Sequence, residues 1–291
     1  MATGILPPDL RTIEELFTGD ARYAVPKYQR SFAWGADEIE ELWEDLSLAV
    51  DRTADYFLGT LVLHRKSSGP TEIIDGQQRI TSISMVFCAI RNIFTAARDP
   101  RAEQLFTAFL GAKDFTRNAP VNAKLVLNNI NNDSYVRYIL EGQSLDSVEQ
   151  ALKDKSLHRS NKLLLQGFRY FLKQISSQVT AKGLDADDYL VPLIDCLRNS
   201  VKLITIPVTS EEDANLFFES LNARGKELAV SDLVKNRLYS EAKEQVARAQ
   251  ELWDKMETEL ARRQFRSICG IIGLRRKLMK LGQSGKSNYI G

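Results

Sequence analysis

The sequence predicts an α+β fold, with a small mixed α/β unit over residues 1–100 and a mostly helical half after it. Three observations carry that expectation. "YFLGTLVLHRK" and "TEI" are runs of strand character, and "ISMVFCAIRNIF" soon after them has the i, i+3, i+4 apolar spacing of a buried helix. From about residue 101 to 200 the spacing is helical almost throughout, with polar breaks at "KDFTRNAPVNAK", "EGQSLD" and "AKGLDADD". One β-branched run, "VKLITIPVT" from Val201 to Thr209, interrupts that half as a strand.

In chain order, "TIEELF" reads as a short helix or turn with Thr12 as its candidate N-cap, since a threonine hydroxyl there accepts a bond from a first-turn N–H. "GDARYAVPKYQRSFAW" is expected to enter as a strand, because Pro26 favours extended backbone before it. From Asp37 to Asp51 the apolar residues Ile39, Leu42, Trp43, Leu46 and Val50 fall on one helical face. Asp37 and Glu38 lie in its first turn, where the helix dipole favours anions. Two strands follow, and a helix then runs to about Arg98, so that strand, turn and helix start meet at Gly76. The helical half is expected to span residues 101–266, including the 201–209 strand and two or more helices around "NARGKEL". There is no internal repeat and no low-complexity tract.

With 291 residues, 44% apolar and 26% charged, the chain can bury a sizeable core. Its 39 basic and 38 acidic residues balance to +1, which argues against a protein basic all over yet permits a local basic groove for nucleic acid. Cys88, Cys196 and Cys269 lie far apart and the histidines are His64 and His158 alone, a set that suits neither a zinc site nor a cysteine protease. Reduced, buried thiols are expected. No run approaches the ~18 apolar residues of a membrane span, and "MATGILPPDLRTIEELF" lacks the form of a signal peptide, so no membrane partner and a cytoplasmic location are expected.

Polar chemistry concentrates in "IIDGQQRITS", Ile73 to Ser82. A glycine-led turn into a helix offers unpaired N–H groups and partial positive charge, which suits an anion. Gly76 would admit a phosphate to the backbone, Arg79 would grip its oxygens, and Gln77 and Gln78 would donate to it or orient a water. Asp75 would ligate magnesium or assist a nucleophile, and Thr81 would add a hydroxyl. The plainer alternative is a capped helix, with Asp75 as N-cap and Arg79 in a structural ion pair. A second cluster, "VPKYQRSFAW", mixes Lys27, Tyr28, Gln29 and Arg30 with Phe32 and Trp34, a blend that suits nucleotide or nucleic-acid contacts. Its plainer reading puts Phe32 and Trp34 in the core and leaves Tyr28, Gln29 and Arg30 exposed. A third, "FESLNARGKELAVSDLVKNRLY", sets Asn222, Arg224 and Gly225 in a turn, after which Ser231 caps a helix carrying Lys235, Asn236 and Arg237; the alternative is a solvated basic face.

These three clusters, in this order, resemble the N-terminal domain of GmrSD-type modification-dependent restriction systems, the domain of unknown function 262 family, over most of residues 10–260. The resemblance implies a ParB and sulfiredoxin-like first part, whose glycine-to-arginine turn holds nucleotide phosphates. It implies an NTP-hydrolysing sensor of modified DNA in anti-phage defence, with Asp75, Gln77, Gln78 and Arg79 catalytic. Gly76, Arg79, Thr81 and Arg30 would then hold GTP, ATP or CTP, with magnesium on Asp75. Lys27, Tyr28, Gln29, Asn222, Arg224 and Lys235 would face DNA. The further partners expected are a separate nuclease chain or domain and a second copy of the chain.

Members of the family commonly continue into a His-Asn-His nuclease domain. Here residues 267–291 are a basic, glycine-spotted tail. Codons for its "SICGIIG" can be read one base out of frame as His-Leu-Arg-His-Tyr-Trp, so the tail is either a frameshift product or a true divergent terminus. Two other functions stay open beside the NTP-dependent sensor: a non-catalytic, nucleotide-gated DNA-binding module, and a ParB-like nuclease acting through Asp75. The chain alone is not expected to cut DNA, because neither histidine has a partner at a recognisable spacing.

Overall fold

In the computed structural model, residues 8–66, 68–112, 122–182 and 186–209 are described. Strand β1 (Asp9–Thr12) runs into helix α1 (Ile13–Phe17). Thr12 caps α1 as expected: its hydroxyl accepts the N–H of Glu15, and the Glu15 carboxylate accepts the N–H of Thr12 at 2.8 Å. β2 is only Tyr23–Ala24. The long strand expected around it does not form, for a reason that belongs to the site below. Helix α2 (Ala36–Arg52) starts on Gly35, whose N–H is bonded by the Glu38 carboxylate at 2.8 Å. It buries Ile39, Leu42, Trp43 and Leu46 on the predicted face, with Val50 partly covered at its edge.

β3 (Tyr56–His64) and β4 (Thr71–Asp75) pair antiparallel, and α3 (Gln77–Ala96) leaves β4 through Gly76. α3 is apolar nearly all round, burying Ile83, Met85, Val86, Phe87 and Ile90 among others, as a helix through the middle of a core must. After it come α4 (Arg101–Leu105), drawn out by a π-helical turn at Phe106–Leu110, and a two-stranded ribbon of β5 (Gly111–Ala112) and β6 (Asn122–Ala123). β7 (Leu125–Val126), α5 (Asn132–Tyr135) with a π turn at Val136–Leu140, α6 (Leu145–Leu152) and α7 (Arg159–Lys182) follow. α8 (Asp187–Asp195) ends in a third π turn, Cys196–Ser200, and leads into β8 (Val201–Val208).

The main sheet is mixed, six strands in the order β1-β8-β3-β4-β2-β7. β8 lies between β1, antiparallel to it, and β3, parallel to it. β2 lies between β4 and β7, parallel to both. The fold is α+β, as predicted. The core is continuous across residue 100: Phe87 of α3 stacks on Phe109 with ring centroids 4.5 Å apart, and Trp43 of α2 meets Phe171 of α7 at 6.0 Å. Each such fully buried side chain contributes about 1.5–3 kcal/mol. Cys88 and Cys196 are buried free thiols, as expected; Cys269 and the helices read after Thr209 lie outside the described residues.

Candidate functional site

The polar turn closes β4 and opens α3. Gly76 has φ 92° and ψ 4°, and it, not Asp75, is the cap residue. A Cβ there would lie 2.8 Å from Leu61 Cδ1 and 3.0 Å from the Thr60 carbonyl oxygen. The glycine therefore combines a left-handed backbone with close passage over β3, and its bare side faces that strand.

Arg79 crosses the same strand. Its Nη1 donates to the Thr60 carbonyl at 2.6 Å, and its Nη2 lies 3.5 Å from Asp75 Oδ2. The crossing needs Gly59, because a Cβ at that position would come within 2.5 Å of Arg79 Nη1. Gly59 sits at a bulge in β3, where the register against β8 shifts. Asp75 and Arg79 remain 37% and 30% exposed, so this ion pair lies at the surface with room on both groups for a further partner.

The neighbouring amides face inward. Gln77 Nε2 donates to the Arg30 carbonyl at 3.0 Å and approaches Gln29 Oε1 at 3.4 Å. Gln78 Oε1 accepts the Ala33 N–H at 2.9 Å, and its Nε2 donates to the Ser31 carbonyl at 3.4 Å. Gln29 Nε2 donates to the Ile74 carbonyl at 2.6 Å. From the other side Asn128 Nδ2 donates to the Gln29 carbonyl at 3.2 Å, and Asn131 Oδ1 accepts the Phe32 N–H at 2.7 Å. Residues 27–29 form a turn closed by the Gln29 N–H on the Pro26 carbonyl at 3.0 Å, and from the Gln29 carbonyl to the Ala33 N–H the main chain is bonded by side-chain amides in place of a sheet ladder. All five amide side chains belong to buried residues.

Thr81 is buried beneath this layer. It lines a cavity of about 10 Å³ together with Gln77, Gln78, Phe32 and Asn128, room for about one water. Phe32 is buried and Trp34 packs against the core. Gln29, exposed in the plainer reading of its segment, is buried because its amide holds the end of β4. Lys27, Tyr28 and Arg30 are exposed on the same segment, Tyr28 at 51%. The structure therefore brings Lys27, Tyr28, Gln29 and Arg30 together with Asp75, Gly76, Gln77, Gln78, Arg79 and Thr81. Asn222, Arg224 and Lys235 lie outside the described residues. Asn128 and Asn131 have no counterpart in the sequence reading; the amide-rich "LNNINN" between helical stretches is the signal that would have pointed to them.

Among the described residues no helix is long and apolar enough to cross a membrane, and no three His, Cys, Asp or Glu side chains gather as a metal cluster. The chain matches a family of domains that serve restriction systems. More narrowly, the chain belongs to the family of the GmrSD restriction endonuclease N-terminal domain, whose family model matches residues 13–239. That membership gives it a role in a restriction and defence system. No curated protein is significantly similar to it.

Proposed function

We propose that this domain binds a nucleoside triphosphate (GTP, ATP or CTP) with magnesium at the Asp75–Arg79 turn. Hydrolysis there is coupled to modified DNA held by Lys27 and Tyr28, the sensing step of the restriction system. The observation that carries the reading is the half-exposed Asp75 and Arg79 pair flanking Gly76 at the start of α3. A carboxylate suits magnesium and a guanidinium suits a phosphate oxyanion. The cavity beneath is too small for a nucleotide, so the phosphates belong at the charged rim, with the exposed Arg30 as a second cation. Bound magnesium would neutralise phosphate charge. Gln77, Gln78 and Gln29 serve by fixing the 29–33 main chain, and Asn222, Arg224 and Lys235 belong to the same proposal as DNA contacts.

A second reading, nucleotide-gated binding without turnover, draws support from the commitment of Gln77 Nε2 and of both ends of the Gln78 amide to main-chain groups. Steady-state turnover of ATP, GTP and CTP with magnesium, with and without DNA from a base-modifying host, separates the two. Turnover raised by the modified DNA is expected. Nucleotide binding with no turnover under either condition favours the gated module.

A further inference from the structure

We propose that Asn131 is a positioning residue that ties the segment carrying Tyr28 and Arg30 to the first turn of α7. Its amide is used at both ends: Oδ1 accepts the Phe32 N–H at 2.7 Å, while Nδ2 donates to Ser160 Oγ at 2.9 Å and Asn161 Oδ1 at 2.6 Å. Asn131 is 2% exposed, and Ser160 and Asn161 are buried with it. The chain of bonds continues outward, since His158 Nδ1 accepts the Ser160 N–H at 3.2 Å. It also continues inward, since the same segment is bonded to α3 through Gln77 and Gln78. Among the described residues no sheet ladder includes residues 27–33, and side chains from two separate parts of the chain hold residues 29–33 in place. A load on Tyr28 or Arg30 is therefore carried to the start of α3 and to α7 together. This deepens the DNA-sensing reading and rests on it for its functional half.

The test is amide-resolved hydrogen exchange on the full chain, in the wild type, Asn131→Ala and Asn161→Ala. Asn131→Ala is expected to speed exchange at Phe32 at least tenfold while the interior amides of α3, such as Val86, stay slow. Asn161→Ala leaves both atoms of the Phe32 to Asn131 bond in place, so a rise of about threefold or more at Phe32 is the response that a purely local bond would not give. If Asn131→Ala fails to fold, Asn161→Ala decides alone. Unchanged exchange at Phe32 in either folded variant overturns the tie. For the functional half, Asn131→Ala should weaken binding of modified DNA at least tenfold, read by fluorescence anisotropy. Fast exchange with unaltered DNA affinity overturns that half. A wild type that neither turns over nucleotide nor prefers modified DNA refutes the sensing reading, and the exchange result still decides the tie.

Discussion

Replacing Gly76 with alanine separates what the turn requires from what a ligand would require. Two costs add. A left-handed backbone costs an L-residue roughly 1–2 kcal/mol. The new methyl would stand 2.8 Å from Leu61 Cδ1 and 3.0 Å from the Thr60 carbonyl, and such overpacking costs about 1–3 kcal/mol more. The sum is about 2–5 kcal/mol. Gly69 supplies the control: its φ is 89° against 92° at Gly76, and nothing lies within 4 Å of a Cβ there. Gly69→Ala should therefore lose only the backbone part. Urea unfolding followed by circular dichroism measures both, and with a slope of about 2–3 kcal/mol/M the Gly76→Ala midpoint should fall by about 1–2 M. If Gly76→Ala proves no less stable than Gly69→Ala, the close passage over β3 is not what selects glycine, and the account of the turn is wrong.

Three other predictions concern the same core and site. Gln29→Leu removes the donor to the Ile74 carbonyl and should cost about 1–3 kcal/mol, as an unsatisfied buried acceptor does; a thermal melt unchanged within error would show that the amide layer is not structural. Burial pushes the Cys88 thiol up from 9.0 to about 12 and the Tyr23 hydroxyl up from 10.0 to about 12. Both ionise first in the unfolded chain, so their contribution is complete below about pH 9 and is lost towards pH 12, by about 1.4 kcal/mol per pH unit for each group in its window. Denaturation curves at stepped pH should show that fall, and Cys88→Ala should make it shallower. Asp75→Asn keeps the shape of the turn and removes its carboxylate charge, so the magnesium concentration needed for half-maximal nucleotide binding should rise at least several-fold; an unmoved magnesium titration would place the ion elsewhere.

The elements that could be read from sequence are those with a period long enough to count. α2, α3, β3, β4 and β8 each carry an apolar pattern over several residues, and Thr12 announces α1 by its chemistry. β1 and β7 escape because two to four residues hold no period, and their pairing depends on strands far away in sequence. The segment after Pro26 reads as a strand in the sequence, yet it turns at residues 27–29 and its further partners are amides from α3 and residues 128–131, which leave no local trace. The same reason hid the burial of Gln29: glutamine is read as a surface residue unless its acceptor is known. The Asp75 to Arg79 turn was legible because glycine, charge and helix start coincide in five residues.

The central claim is that the Asp75–Arg79 turn is a phosphate site, and isothermal titration of Mg·ATP, Mg·GTP and Mg·CTP into wild type and Arg79→Ala tests it most directly. A charge-assisted hydrogen bond to phosphate is worth about 1.5–3 kcal/mol, and the partial exposure of Arg79 argues for the lower end, a loss of roughly tenfold in affinity. One of the three nucleotides should bind the wild type and bind Arg79→Ala about tenfold more weakly, with the circular dichroism spectrum unchanged. Equal affinity in the two proteins, or no nucleotide binding to the folded wild type, contradicts the account.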